Sequence, residues 1–250
     1  MLVLLPPSET KRPGGEGAPL DLARLAHPSL TSVRERVITA LVALSTDPDE
    51  AARVLKLGKT QRGDVDLNAV LPEAATMPAV DRYTGVLYDA LDAATLDEAS
   101  RRWLATHVQI QSAAFGLVAA DDPVPSYRLS AAASVPGAGS GKRVWADAVS
   151  EALRVAAPDF VLDLRSEAYS ALGPVPHGLP SAYVRVVAEG PGGVTRALNH
   201  FNKRAKGELV RRLASSRAAV GGREDLFAWA EANDVDLRPG ERQEMLLVER

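Results

Sequence analysis

The chain has 250 residues, 46% hydrophobic and 24% charged, which are ordinary values for a folded protein and exclude a disordered chain. It has no cysteine, which excludes disulfides, thiolate nucleophiles and cysteine-ligated zinc or iron–sulfur centres. A net charge of −3 excludes a polycation, so a polyanion would have to be met by a local basic patch.

Leu2 to Leu5 reads as a short buried strand closed by Pro6-Pro7-Ser8. The apolar start is too short for a signal segment and carries no basic flank, so a cytoplasmic location is expected. Lys11 to Gly17 is a Gly/Pro loop. Thr31 or Ser32 is placed to cap a helix to about Ser45, with Val33, Val37, Ile38, Leu41 and Leu44 as its apolar stripe. Pro48 opens a second helix, running to about Leu57 and ended by Gly58. Residues 58–78 read as irregular or only briefly helical. Helices are expected over Val80–Leu91 and from Asp97 to about Thr106, then an apolar β-compatible run over Val108–Val118 with a bend at Gly116. The two prolines of Pro123–Tyr127 demand extended or turned backbone. Next come a helix over Arg143–Ala156, strands over Phe160–Leu164 and Ala182–Ala188, and a Gly-rich turn over Gly190–Gly193. Thr195 to about Ala218 is the longest helical candidate, followed by a helix over Glu224–Asn233 and a strand over Glu244–Val248. No internal repeat or long linker divides the chain. A single mixed α/β domain over 1–250 is the simplest organisation.

Gly137-Ala138-Gly139-Ser140-Gly141-Lys142 invites comparison with a phosphate loop. Pro136 and Arg143 occupy the positions where that loop needs Gly and Ser/Thr, so the motif fails, leaving Lys142 as an anion contact at a helix start. His27, His107, His177 and His200 are dispersed without metal-binding spacing. No metal centre is expected. Asp163 to Tyr169 follows a strand, where α/β proteins place ligand-binding groups; Ser166 is either a helix cap or, with Glu167 and Tyr169, part of a cleft rim. From Arg196 to Arg223 eight basic residues face a single acid, Glu208. Within that run Lys203 and Lys206 share a helix face, apolar Ala205, Leu209 and Leu213 form another stripe, and an anion-binding surface is favoured.

Several segments, in order, resemble the YaaA family of bacterial peroxide-stress proteins. They are Leu4 to Lys11, Arg82 to Tyr88, Gly116-Leu117-Val118 through Pro125 to Leu129, Gly141-Lys142 before Trp145, Asp163 to Tyr169, and Phe201 to Gly207. The resemblance implies a compact mixed α/β fold, a central mostly buried sheet surrounded by helices, and a positively charged cleft. It also implies a role against peroxide damage and DNA binding, with a helix-hairpin-helix-like element at about 48–70 in which Gly58 turns the chain beside Lys56, Lys59 and Arg62.

Two functions compete. In one, DNA or a related polyanion is bound through Lys11, Lys59, Arg62, Arg128, Lys142 and the Lys203, Arg204, Arg211 and Arg212 face. In the other, the same cleft is an enzyme site for a nucleotide-like or other anionic small molecule. Ser8, Lys11, Tyr83, Thr84, Tyr127, Arg128, Tyr169 and Lys203 would then bind it, and Ser166, Glu167 and Lys206 would supply catalysis. Phenolic and acidic groups of this kind exceed what phosphate contacts alone require. No cofactor, membrane contact or obligate protein partner is expected.

Overall fold

The computed structural model describes residues 1–189, 195–197 and 202–249. Its centre is an eight-stranded sheet. In chain order the strands are β1 (Leu2–Leu5), β2 (Val108–Ser112), β3 (Gly116–Ala119), β4 (Val161–Asp163), β5 (Ser181–Glu189), β6 (Thr195–Ala197), β7 (Leu237–Pro239) and β8 (Glu244–Glu249). The spatial order is β7-β8-β5-β4-β1-β2-β3, with β6 pairing antiparallel to β5. The five strands from β8 to β2 are mutually parallel; β3 and β7 are antiparallel additions.

β1 sits in the middle because all four of its side chains are apolar and buried, as a strand covered on both faces requires. Its register sets Leu4 beside both Asp163 of β4 and Gln109 of β2. The helices are α1 (Thr31–Leu44), α2 (Pro48–Val54), α3 (Asp64–Ala69), α4 (Ala79–Arg82), α5 (Val86–Leu91), α6 (Glu98–His107), α7 (Gly141–Ala156), α8 (Glu167–Ser170), α9 (Asn202–Ser215) and α10 (Arg223–Ala232). Among the described residues, no helix is long and apolar enough to cross a membrane.

Local signals place most of these elements, and the departures have clear causes. α1 runs directly out of a 3₁₀ turn at Pro28–Leu30, so Leu30 holds the cap position and neither Thr31 nor Ser32 does. α2 stops at Val54 because Lys56 is left-handed and Leu57 N–H folds back to Ala52 O, 2.8 Å. The Val108–Val118 run is a hairpin, β2 and β3, turning through 113–115.

The helix expected over Val80–Leu91 is broken into α4 and α5. Gly85, with φ +93°, breaks it, and the freed backbone pairs with the loop after β1: Thr84 N–H to Thr10 O at 3.2 Å, and Arg12 N–H to Arg82 O at 2.8 Å. The helix expected from Thr195 is likewise corrected. Thr195–Ala197 pairs with Glu189–Val187 as an edge strand, where ladder hydrogen bonds outweigh helical propensity, and α9 begins at Asn202. The turn expected over Gly190–Gly193 lies outside the described residues.

α9 lies against α5 at Gly207. A Cβ there would stand 2.1 Å from Leu87 O and 2.9 Å from the Ala90 methyl, so only glycine permits this approach. Gly207→Ala is expected to force the helices apart and cost about 1–3 kcal/mol, an overpacking penalty. Thermal unfolding followed by circular dichroism should show the melting temperature falling by several degrees.

Candidate functional site

Strand order locates the site before any side chain is considered. The chain leaves β1 toward β2 on one side and leaves β4 toward β5 on the other, although β1 and β4 are neighbours. Loops diverging from adjacent parallel strands open a crevice at the carboxyl ends, the usual ligand position in open α/β sheets. Here the two loops are Pro6–Thr10 after β1 and Leu164–Tyr169 after β4. Together with α5 and the first turns of α9 they enclose a cavity of about 500 Å3.

Pro6, Pro7, Val86, Leu87, Tyr88 and Leu164 form its apolar wall, and Ser8, Glu9, Thr10, Thr84, Ser166, Tyr169, Asn202, Lys203 and Lys206 its polar one. Volume and composition fit a small molecule. Lys206 is buried, and its Nζ donates to Arg165 O at 3.5 Å, with the Tyr183 ring centre 5.4 Å away. Burial pushes its amine down to about 8, against the opposing pull of Asp163. Lys203 is exposed one turn earlier.

Arg165 O is held in place by a buried pair at the end of β4. Arg165 Nε and Nη2 donate to Asp163 at 2.9 and 2.7 Å, and its Nη1 reaches Gly173 O at 2.9 Å. The guanidinium is fully buried and the carboxylate nearly so.

Behind the cavity wall lies a second polar layer. Lys11 Nζ donates to Ser8 O at 3.0 Å and sits 4.0 Å from the Tyr127 ring centre and 5.5 Å from that of Tyr83. Burial pushes its amine down to about 7, with Glu9 opposing and Arg128 reinforcing the shift. Ser112 Oγ accepts from the N–H groups of Ala114 and Phe115, so its proton goes to Tyr127, 2.8 Å away, and Tyr127 in turn donates to Tyr83 at 2.9 Å. Burial raises both phenols, Tyr83 to about 12. Arg128 donates to Glu9 O at 3.1 Å and faces the carboxylates of Glu9 and Asp64 at 3.7 and 3.6 Å. These residues hold the loop after β1.

Of the residues singled out from sequence, Ser8, Thr84, Ser166, Tyr169, Lys203 and Lys206 line the cavity, while Lys11, Tyr83, Tyr127 and Arg128 support its wall. Glu167 does not line it; the side chain is largely exposed and accepts from Arg185 Nη1 at 3.2 Å. Lys142 is exposed at the start of α7. Arg62 pairs with Asp49 at 2.8 Å, and the N–H of Gly58 is taken by Gln61 Oε1 at 3.1 Å. Lys59 is exposed in a 3₁₀ turn between α2 and α3. Arg204 pairs with Glu208 within α9, whereas Arg211 donates to Leu91 O and Asp92 O and Arg212 to Asn233 O, so the latter two fasten α9 to its surroundings.

Sequence reasoning put Asn202 close to the Lys203–Lys206 face without naming it a site residue, and missed Tyr88 and the Asp163–Arg165 pair as parts of the site. The spacing Asp-x-Arg just after an apolar strand was the available signal for the last. A wider groove of about 670 Å3 lies elsewhere, between α9, α10 and β8. Glu208, Glu231, Asp234, Asp236 and Glu249 line it beside Arg212 and Arg238, and it contains none of the strand-end motifs.

Residues 1–232 match the protein family described as peroxide stress protein YaaA. The chain belongs to the YaaA family. A UPF0246 protein of Corynebacterium efficiens is 45% identical to this YaaA-family chain over 99% of it and 100% of the relative. A second, from Corynebacterium glutamicum, is 42% identical with the same coverage. One from Streptomyces coelicolor is 43% identical over 90% of this chain and 87% of its own length.

Two outcomes follow for this YaaA-family site. Arg165→Met strands the buried Asp163 carboxylate and is expected to cost about 3–5 kcal/mol; pairing it with Asp163→Asn should restore part of that loss in chemical denaturation. The Lys11 amine is lowered in the folded state, so between about pH 7 and 10.5 the unfolded chain binds the extra proton and stability rises with pH. Melting temperatures from pH 7 to 9.5 should climb in the native chain and climb less in Lys11→Met.

Proposed function

We propose that this YaaA-family protein acts in peroxide stress through the strand-end cavity, which takes up a nucleotide-like or other anionic small molecule and acts on it chemically. The carrying observation is the buried Lys206 amine opening into a cavity of about 500 Å3, with Lys203 and the first turn of α9 beside it. An anion entering there gains a point charge from Lys203 and the positive end of a fourteen-residue helix dipole. Tyr169 and Tyr88 offer ring surfaces for a heterocycle, and the hydroxyls of Ser8, Thr84 and Ser166 offer hydrogen bonds.

A duplex is far too wide for such a cavity, so DNA binding would have to use the outer surface. There the arginines of α9 are already committed to Glu208 and to backbone carbonyls. This supports a small ligand over a polyanion. Cytoplasmic placement fits either activity.

Calorimetric titration with adenosine monophosphate, and separately with a short DNA duplex, distinguishes them. Mononucleotide binding in the micromolar to millimolar range, weakened at least tenfold by Lys206→Met and by Lys203→Glu, is expected. Duplex binding that falls by about 10³-fold or more between roughly 50 and 200 mM salt, with no mononucleotide binding, would establish the polyanion function instead.

A further inference from the structure

The surroundings of Lys206 point to more than anion binding. Its residue is 4% exposed, and among the described residues its Nζ has one long hydrogen bond, 3.5 Å to Arg165 O. The nearby carboxylate, Asp163, is already used. Its Oδ1 accepts from Arg165 N–H and Nε at 3.0 and 2.9 Å, and its Oδ2 from Arg165 Nη2 and Ser170 Oγ at 2.7 and 3.2 Å. Among the described residues Lys206 forms no ion pair. A lysine kept for structure alone normally reaches a carboxylate or solvent, whereas a desolvated amine facing a pocket is the form that adds to carbonyl carbon.

A second observation lies one turn away. Asn202, at i−4 on the same face of α9, also lines the cavity, and among the described residues nothing donates to its buried Oδ1. An unfilled buried acceptor is costly unless something donates to it. A ligand hydroxyl or amino group in the cavity would do so.

We propose that Lys206 is a nucleophile that forms an imine with an aldehyde or ketone carried by an anionic, hydroxyl-bearing small molecule bound in this cavity. The assignment rests on the cavity being the functional site and names its substrate class. The amine lone pair attacks the carbonyl carbon, a C–N bond forms, and the carbonyl π pair moves to oxygen. The nitrogen loses a proton and the oxygen gains one, giving a carbinolamine. A further proton on that oxygen lets it leave as water while the nitrogen lone pair forms the C=N bond; loss of the N–H proton returns the neutral imine. No oxidant or reductant is consumed. The groups bearing on the amine are Asp163, which favours the ammonium, and Arg185, which opposes it, with Lys203 and the phenols of Tyr169 and Tyr183 nearby. With the amine lowered to about 8, about one molecule in ten carries it neutral at pH 7.

The test uses the full chain and pyridoxal 5′-phosphate, an anionic aldehyde with a ring hydroxyl, trapped with sodium cyanoborohydride and located by peptide mass mapping. The sequence has six lysines, Lys11, Lys56, Lys59, Lys142, Lys203 and Lys206, so the map is unambiguous. One reduced adduct on Lys206 is expected, at least tenfold over each other lysine. Its formation rate should rise about tenfold per pH unit below 8 and level above it, and inorganic phosphate should compete. Lys206→Arg should lose that adduct while keeping its circular dichroism spectrum. The native-chain map decides the matter even if this variant fails to fold. Calorimetric binding of the aldehyde that Lys203→Glu weakens, without an adduct on Lys206, would overturn the imine and leave the cavity function standing. Equal labelling of the six lysines would likewise overturn it, and neither binding nor labelling would overturn both.

Discussion

Asp163 and Arg165 meet at the carboxyl end of β4 in a bond that water barely reaches, with the guanidinium wholly buried. Such a pair stabilises little against apolar residues of equal volume, because both charges have given up hydration. Its value is positional. Arg165 also donates to Gly173 O and, at 3.4 Å, to Gln111 Oε1 just beyond the β1–β2 ladder. One side chain thus ties β4 to β2 across the end of the intervening β1 and anchors the backbone that turns there. Arg165 O is thereby aimed at Lys206, and α8 begins with Ser166 and Tyr169 at the cavity.

The opposite wall is fixed by different means to the same end. Arg82, fully buried, donates to Arg12 O, Val124 O and Ala75 O, so one cation satisfies carbonyls of three separate segments, the loop after β1 among them. Lys11 and Arg128 do likewise for Ser8 O and Glu9 O. Four cationic side chains therefore shape the cavity without lining it. The tyrosines that would stack on a base in a simple reading of the motifs, Tyr83 and Tyr127, are spent on each other and on Ser112.

The parts of the fold legible in the sequence are those decided locally. β1 is an unbroken apolar run, α6 has Asp97 accepting from Ser100 N–H at 2.7 Å, and α7 starts behind Ser140. The broken helix at Gly85 and the edge strand at Thr195–Ala197 were not legible, because each exists to pair with backbone distant in the chain. The site divides in the same way. Motifs at strand ends, at the break between α4 and α5 and on α9 led to Ser8, Thr84, Ser166, Tyr169, Lys203 and Lys206. Glu167 turns outward to Arg185 because α8 is a single turn and its Tyr169 face takes the interior. No local pattern tells which of two residues on so short a helix will be covered.

The basic run on α9 shows how residue type divides labour within one charge cluster. Arginine carries five donors in a planar fork and keeps its charge, so Arg211 and Arg212 can close helix-end carbonyls and Arg204 can hold Glu208. Lysine presents a single amine whose proton is removable once water is excluded. At Lys206 water is excluded, the neighbouring carboxylate is committed to Arg165, and the remaining partner among the described residues is one distant carbonyl. Replacing this lysine with arginine would preserve charge and lose the free amine. Positive charge on this helix therefore serves fastening at Arg211 and Arg212 and chemistry at its buried lysine, and the overall acidity of the molecule does not oppose either.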